Sequence, residues 1–141
     1  MIEWDADTFT LGVDEMDGTH AEFISLLNQL NEIPNSGFAA LFACLLEHTE
    51  AHFDSENARM LLCQFPAINE HNSEHQRVLG ELSRKKKQVD KGLISFGRAY
   101  VRELPGWFRL HAATMDSALA AHWKYQQTAE QLQSSGPKQA S

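Results

Sequence analysis

The chain has 141 residues, of which 43% are hydrophobic and 22% charged, proportions that fit one ordinary globular domain and exclude a disordered, collagen-like or fibrous chain. Twelve basic against nineteen acidic residues leave a net charge of −7, so no global field attracts a nucleic-acid backbone. The longest apolar run, Phe38 to Leu46, is nine residues, where a membrane span needs about 20. The N-terminus opens on Glu3, Asp5 and Asp7 instead of a basic segment followed by an apolar one, so no secretory signal is visible. The expected location is the cytoplasm, with no nucleic-acid and no membrane partner. Cys44 and Cys63 form no CxxC pair and read as two reduced core thiols.

Turn signals at Pro34-Asn35-Ser36-Gly37, Gln64-Phe65-Pro66 and Lys91-Gly92 separate four stretches without strand-like alternation, and each reads as helix. The first starts near Asp17 to Thr19, where a short polar side chain can cap free amides, and runs to about Glu32 with His20, Phe23, Leu27 and Leu30 inward. A second, from about Gly37 to Leu62, places Phe38, Leu41, Leu45, His52, Glu56 and Met60 on one face. The third starts around Ala67 to Asn69 and carries Ile68, His71, His75, Leu79 and Leu82. It ends in Arg84, Lys85, Lys86, Lys87 and Lys91, cations that complement the negative end of a helix dipole. The fourth covers about Ile94 to Gln131, with Phe108, His111, Met115 and Leu119 inward. Pro105-Gly106 is expected to bend or restart it.

Four long helices with short connections predict an all-α, up-down-up-down four-helix bundle with an N-terminal extended arm. The arm would span residues 1–16 and pack on the bundle, the bundle 17–131, and a flexible polar tail 132–141.

Packing alone does not explain why the inner stripes carry His20, His52, Glu56, His71, His75, His111 and the nearby Asp116. Burying so many ionisable groups costs several kcal/mol for each one left unpaired, and a pair of metal ions removes that cost. His52 and Glu56 are four apart, as are His71 and His75, so each pair shares a helical face about one turn apart. His111 and Asp116 are five apart, about 140° around a regular helix. Either Asp116 reaches in from the flank, or a wide π-type turn between Arg109 and Asp116 brings the two into line.

Four motifs are arranged in this order: Asp17-Gly18-Thr19-His20, His52-Phe53-Asp54-Ser55-Glu56, His71-Asn72-Ser73-Glu74-His75, and Trp107-Phe108-Arg109-Leu110-His111 running on to Asp116. With Trp4 and Leu11-Gly12-Val13-Asp14 ahead of them, the set resembles the hemerythrin family, in particular its stand-alone bacterial type, over about residues 4 to 125. The resemblance implies two iron ions in a non-haem di-iron site bridged by Glu56, Asp116 and one solvent-derived oxo or hydroxo oxygen. It further implies that His71, His75 and His111 complete one iron, while His20 and His52 hold the other and leave a position open to dioxygen. Trp107 and Phe108 would then wall the oxygen pocket. Imidazole suits iron, and the low carboxylate count favours reversible binding over oxygen activation. A ferritin-like di-iron bundle needs two Glu-x-x-His motifs and a zincin needs His-Glu-x-x-His; neither is present.

This chain departs from the family at Thr19, where Gln is frequent, at Asn57, where a second Glu is frequent, and at Phe108, where Leu is common. His48, one turn before His52, reads as hydrogen-bonded core and not as a ligand. His122 reads as a partly exposed surface residue, and Met60 and Met115 as core packing. The function implied is oxygen storage, delivery or sensing by a binding protein. The alternative is an enzyme using the same centre as a peroxidase or nitric oxide reductase, or an iron or redox sensor. A monomer and a homo-oligomer are equally compatible with the sequence.

Overall fold

The computed structural model describes residues 2–3 and 9–135, with side chains to residue 133. Trp4 and the last six residues of the expected tail lie outside the described residues. Four antiparallel helical columns pack each on the next, and the fourth closes onto the first: α1 (Asp14–Glu32), α2 (Asn35–Leu62), α3 (Ile68–Asp90), and a last column made of α4 (Ile94–His111), a π-helical turn (Ala112–Asp116) and α5 (Ser117–Ser135). The architecture is the expected four-helix bundle. No described helix is long and apolar enough to cross a membrane.

Helix ends follow local chemistry. Helix α1 begins at Asp14, earlier than the capping residues Asp17 to Thr19 would place it, and its first turn carries Asp14, Glu15 and Asp17, which complement the positive end of the dipole. Asp17 does not cap the helix from outside. Its carboxylate reaches back to the amides of Leu11 (2.7 Å) and Gly12 (3.2 Å), and Lys124 on α5 donates to the Leu11 carbonyl at 2.7 Å. Helix α2 ends in a Schellman turn, with Phe65 N–H bonding Met60 O at 2.9 Å and Gln64 at φ +52°, a left-handed conformation that costs a non-glycine residue roughly 1–2 kcal/mol. Helix α3 ends in the same motif with Gly92 at φ +90°, where no such cost arises. Gly97 permits close approach of α4, because a Cβ there would lie 2.5 Å from Val89 and 2.7 Å from Phe38.

The last column gives one confirmation and one correction. A π-turn occupies residues 112–116, which is the second of the two ways in which the five-residue spacing of His111 and Asp116 could be met. Of the bend or restart expected at Pro105, the restart does not occur: α4 runs unbroken from Ile94 to His111 with Pro105 inside it. Buried Val101 and Leu104 before the proline and Phe108 after it anchor the column on both sides, so packing carries the chain across the one missing amide. A second correction concerns the thiols. Both cysteines are free, but Cys44 is exposed and only Cys63 is buried, because position 44 falls on the side of α2 opposite its buried neighbours Phe42 and Leu45.

The core is stratified. One apolar cluster, with Phe23, Leu27, Phe38, Phe42, Leu45, Val78, Leu82, Val101 and Phe108, fills most of the bundle. A smaller one, with Val13, Met16, Met60, Cys63, Phe65, Leu119 and Ala120, closes the other end. Each helix passes from one cluster to the other, and the buried histidines and carboxylates form the layer between.

Candidate metal centre

Each column contributes to that layer from an inner position: His20 from α1, His52 and Glu56 from α2, His71 and His75 from α3, His111 from the end of α4, and Asp116 from the π-turn. All seven are buried, and their ligand atoms fall into two overlapping groups. Glu56, His71, His75, His111 and Asp116 form one; His20, His52 and Glu56 form the other, and within each group the atoms lie within 4.8 Å of one another. The structure thus brings together every residue singled out from the sequence as a ligand.

The two carboxylates divide their oxygens between the groups. Glu56 turns Oε2 to His52 Nε2 at 2.8 Å and His20 Nε2 at 4.0 Å, and Oε1 to His75 Nε2 at 3.1 Å and His71 Nε2 at 3.5 Å. Asp116 turns Oδ2 to His20 Nε2 at 3.0 Å, and Oδ1 to His111 at 3.0 Å and His71 at 3.1 Å. Five of these inward atoms, Glu56 Oε1, Asp116 Oδ1 and the Nε2 atoms of His71, His75 and His111, are buried without a hydrogen-bond partner. Leaving them so costs about 1–3 kcal/mol each, whereas two cations on the axis would meet all of them. The donor set of imidazoles and bridging carboxylates fits a di-metal centre.

Electrostatics agree with charged carboxylates, while the imidazoles divide: His20 and His71 are raised, and His75, where burial prevails, is lowered. Burial opposes ionisation of Glu56 and Asp116, yet the surrounding histidines hold both well below the usual carboxylate range. Burial likewise opposes the charged form of His71, but the adjoining Asp116 and Glu56 raise it to about 9. His20 is raised by the same balance, with Asp116 the chief opposing partner to burial.

A second layer orients some of the rings. The Nδ1–H of His20 donates to the Phe9 carbonyl at 3.2 Å, which fixes the tautomer and points the Nε2 lone pair at the axis. Asn57 Oδ1 accepts from His75 Nδ1 at 3.2 Å, so this departure from the family pattern still holds a ring in place. Phe53 stacks on His75 with centroids 3.8 Å apart, and Trp107 stacks on His111 at 4.6 Å. Phe9 and Phe53 were not legible as site residues. Phe53 carried a faint signal, lying three residues before Glu56 on the inner side of α2, whereas Phe9 acts through its backbone carbonyl, which no side-chain pattern reveals.

A narrow hollow with no room for a water molecule lies beside the centre and is lined by Phe23, His52, Phe53, Trp107, Phe108 and His111. Phe108 packs edge-on to His20 at 5.1 Å and stacks on Phe9 at 5.1 Å. His48 stays outside the ligand groups, donating from Nε2 to the Thr19 carbonyl at 3.3 Å with Nδ1 3.5 Å from Glu22. His122 is half-buried and donates to the Cys63 carbonyl at 2.8 Å. Met60 is fully buried, but Met115 is only half-buried. Arg59, unremarked in the sequence, is buried against Trp123 at 4.2 Å and bonds Glu15 at 2.8 Å.

A four-helix bundle with two overlapping His/carboxylate cation sites on its axis defines a di-metal bundle protein. Residues 11–123 match the family described as Hemerythrin HHE cation binding domain. The chain is 34% identical over 116 residues to a bacteriohemerythrin of Ralstonia nicotianae, covering 82% of this chain and 84% of that protein. It is 26% identical over 98 residues to a myohemerythrin of Riftia pachyptila, covering 70% and 79%. A crystal structure of wild-type hemerythrin superposes with a TM-score of 0.81 at 20% identity, covering 87% of this chain and 98% of that one. The chain belongs to the hemerythrin family, and its site is a cation-binding His/Glu/Asp di-metal site.

Proposed function

We propose that the protein binds dioxygen reversibly, in the cytoplasm, at a non-haem di-iron centre held by His20, His52, Glu56, His71, His75, His111 and Asp116. The observation that carries this reading is the division of oxygens: Glu56 and Asp116 each turn one oxygen to the two-histidine group and the other to the three-histidine group. Three imidazoles on one side and two on the other make the halves unequal, and the hollow touches both, the two-histidine half through His52 and the three-histidine half through His111. When bound, the iron pair supplies the electrons and an open coordination position for dioxygen.

The chain's own residues do the rest. Glu56 and Asp116, each with one oxygen toward either group, would hold the two ions and offset their charge. Phe9, through its carbonyl, presents the His20 lone pair to the axis. Phe23, Phe53, Trp107 and Phe108 give the hollow an aromatic wall with no standing room for water, and a small apolar guest would enter as those rings shift. The relatives named bacteriohemerythrin and myohemerythrin support the same reading.

The test is an absorption spectrum of the reduced, iron-loaded protein without oxygen, then in air, then with oxygen removed. Two irons per chain and a visible charge-transfer band that appears in air and disappears on deoxygenation are expected. Direct, irreversible conversion to the oxidised form would defeat reversible binding and favour peroxide or nitric oxide chemistry.

A further inference from the structure

His111 is held differently from the other oriented ligands. The Nδ1 atoms of His20 and His75 donate to protein oxygens, whereas His111 Nδ1, like His71 Nδ1, is buried with no hydrogen-bond partner, and what sets His111 apart is a stacked ring in place of that bond. Its ring lies against the Trp107 indole, centroids 4.6 Å apart and planes 20° from parallel. The indole is itself tethered, because Trp107 Nε1 donates to Glu74 Oε1 at 2.8 Å. Arg77 grips both oxygens of Glu74 (Nη2 to Oε1 at 2.5 Å, Nε to Oε2 at 3.0 Å) and reaches Glu81 Oε1 at 2.8 Å. The other oxygen of Glu81 accepts the Tyr100 hydroxyl at 3.0 Å.

These contacts form a clasp with two rungs. Glu74 and Glu81 are seven residues apart on α3, Tyr100 and Trp107 seven apart on antiparallel α4, so the rungs repeat after two helical turns with Arg77 between them. We propose that Glu74 and Arg77 are positioning residues for His111, acting through Trp107: the clasp fixes the indole plane, and the indole fixes the imidazole. The inference rests on the metal-centre reading above. Glu74 sits between His71 and His75 in sequence but projects away from the axis toward α4, where it meets the Trp107 indole. Its acceptor is what the indole N–H needs when half-buried, and a charge-assisted bond is about twice as strong as a neutral one.

Two readouts test it. In the metal-free protein with Trp4→Phe and Trp123→Phe, the near-ultraviolet circular dichroism comes from Trp107 among the tryptophans. Glu74→Leu is expected to remove most of that signal and Glu74→Gln, which keeps the acceptor, to retain it. Titration with cobalt(II) alone then reads the centre: Glu74→Leu should weaken binding about tenfold and alter the visible cobalt bands, and Glu74→Gln should restore both. Trp107→Phe, which keeps a ring but no N–H, should repeat the loss and serves if Glu74→Leu fails to fold. An unchanged Trp107 signal, or wild-type cobalt affinity and bands in Glu74→Leu, overturns the positioning role while leaving the metal centre standing. Failure of the wild-type chain to bind two cobalt ions overturns the centre and the role with it.

Discussion

His71 faces both bridging carboxylates at once, Asp116 at 3.1 Å and Glu56 at 3.5 Å. Burial alone would lower its affinity for a proton, but those two charges raise it to about 9. A raised folded-state value stabilises the metal-free fold fully below the unfolded value of 6.5, and this contribution is lost as pH rises through about 9. Metal binding has the opposite sign, because a ligand imidazole must first give up its proton. Apparent affinity for a divalent ion should therefore climb between about 6.5 and 9, by up to tenfold per unit for this one proton. Calorimetry in two buffers of different ionisation enthalpy would count the released proton, and a pH-independent affinity with no proton release contradicts this account of His71.

The helical elements illustrate how far pattern reasoning reaches. Ligands four residues apart need only the period of an α-helix to share a face, which is why His52 with Glu56 and His71 with His75 were legible. The π-turn was legible for the complementary reason: a five-residue interval between two inward groups cannot be met by a regular helix. Pro105 does not restart the helix, because the local rule, a lost amide and a steric clash, is overridden by buried neighbours on both sides. That override has a cost which substitution can recover. Pro105→Ala should stabilise the metal-free protein, by up to about 3 kcal/mol, seen as a higher midpoint of urea unfolding. An unchanged or lower midpoint would mean that α4 has no strain to release there. The Glu74–Trp107 and Glu81–Tyr100 rungs escaped the sequence altogether, since they depend on how α3 and α4 slide past each other, a register that no single-helix pattern encodes.

Across the whole molecule the ionisable layer divides an otherwise apolar core. The clusters at either end are built from apolar side chains that are not metal ligands, so helical content is expected to survive chelation while the unfolding midpoint drops. A free metal concentration a hundredfold above the dissociation constant is worth about 2.7 kcal/mol, roughly 10 °C for a domain of this size. Calorimetric scans with and without a chelator would measure the difference, and equal midpoints would show that the layer needs no ion for its stability. The bundle was readable from four amphipathic runs and short turns. The exposure of Cys44 was not, because the nine-residue apolar run around it gives no clue to which of its positions faces solvent.

The hollow beside His52 and His111 has no room for a water molecule and is walled by Phe23, Phe53, Trp107 and Phe108. Any guest must therefore wait for those rings to move, and admission is timed by the breathing of Phe108 and its neighbours instead of by diffusion through a standing channel. Arrival and escape share the same gate, so a change that loosens it would speed both and leave the equilibrium occupancy nearly untouched. How long a guest remains and how tightly it is held are, in this bundle, separately adjustable quantities.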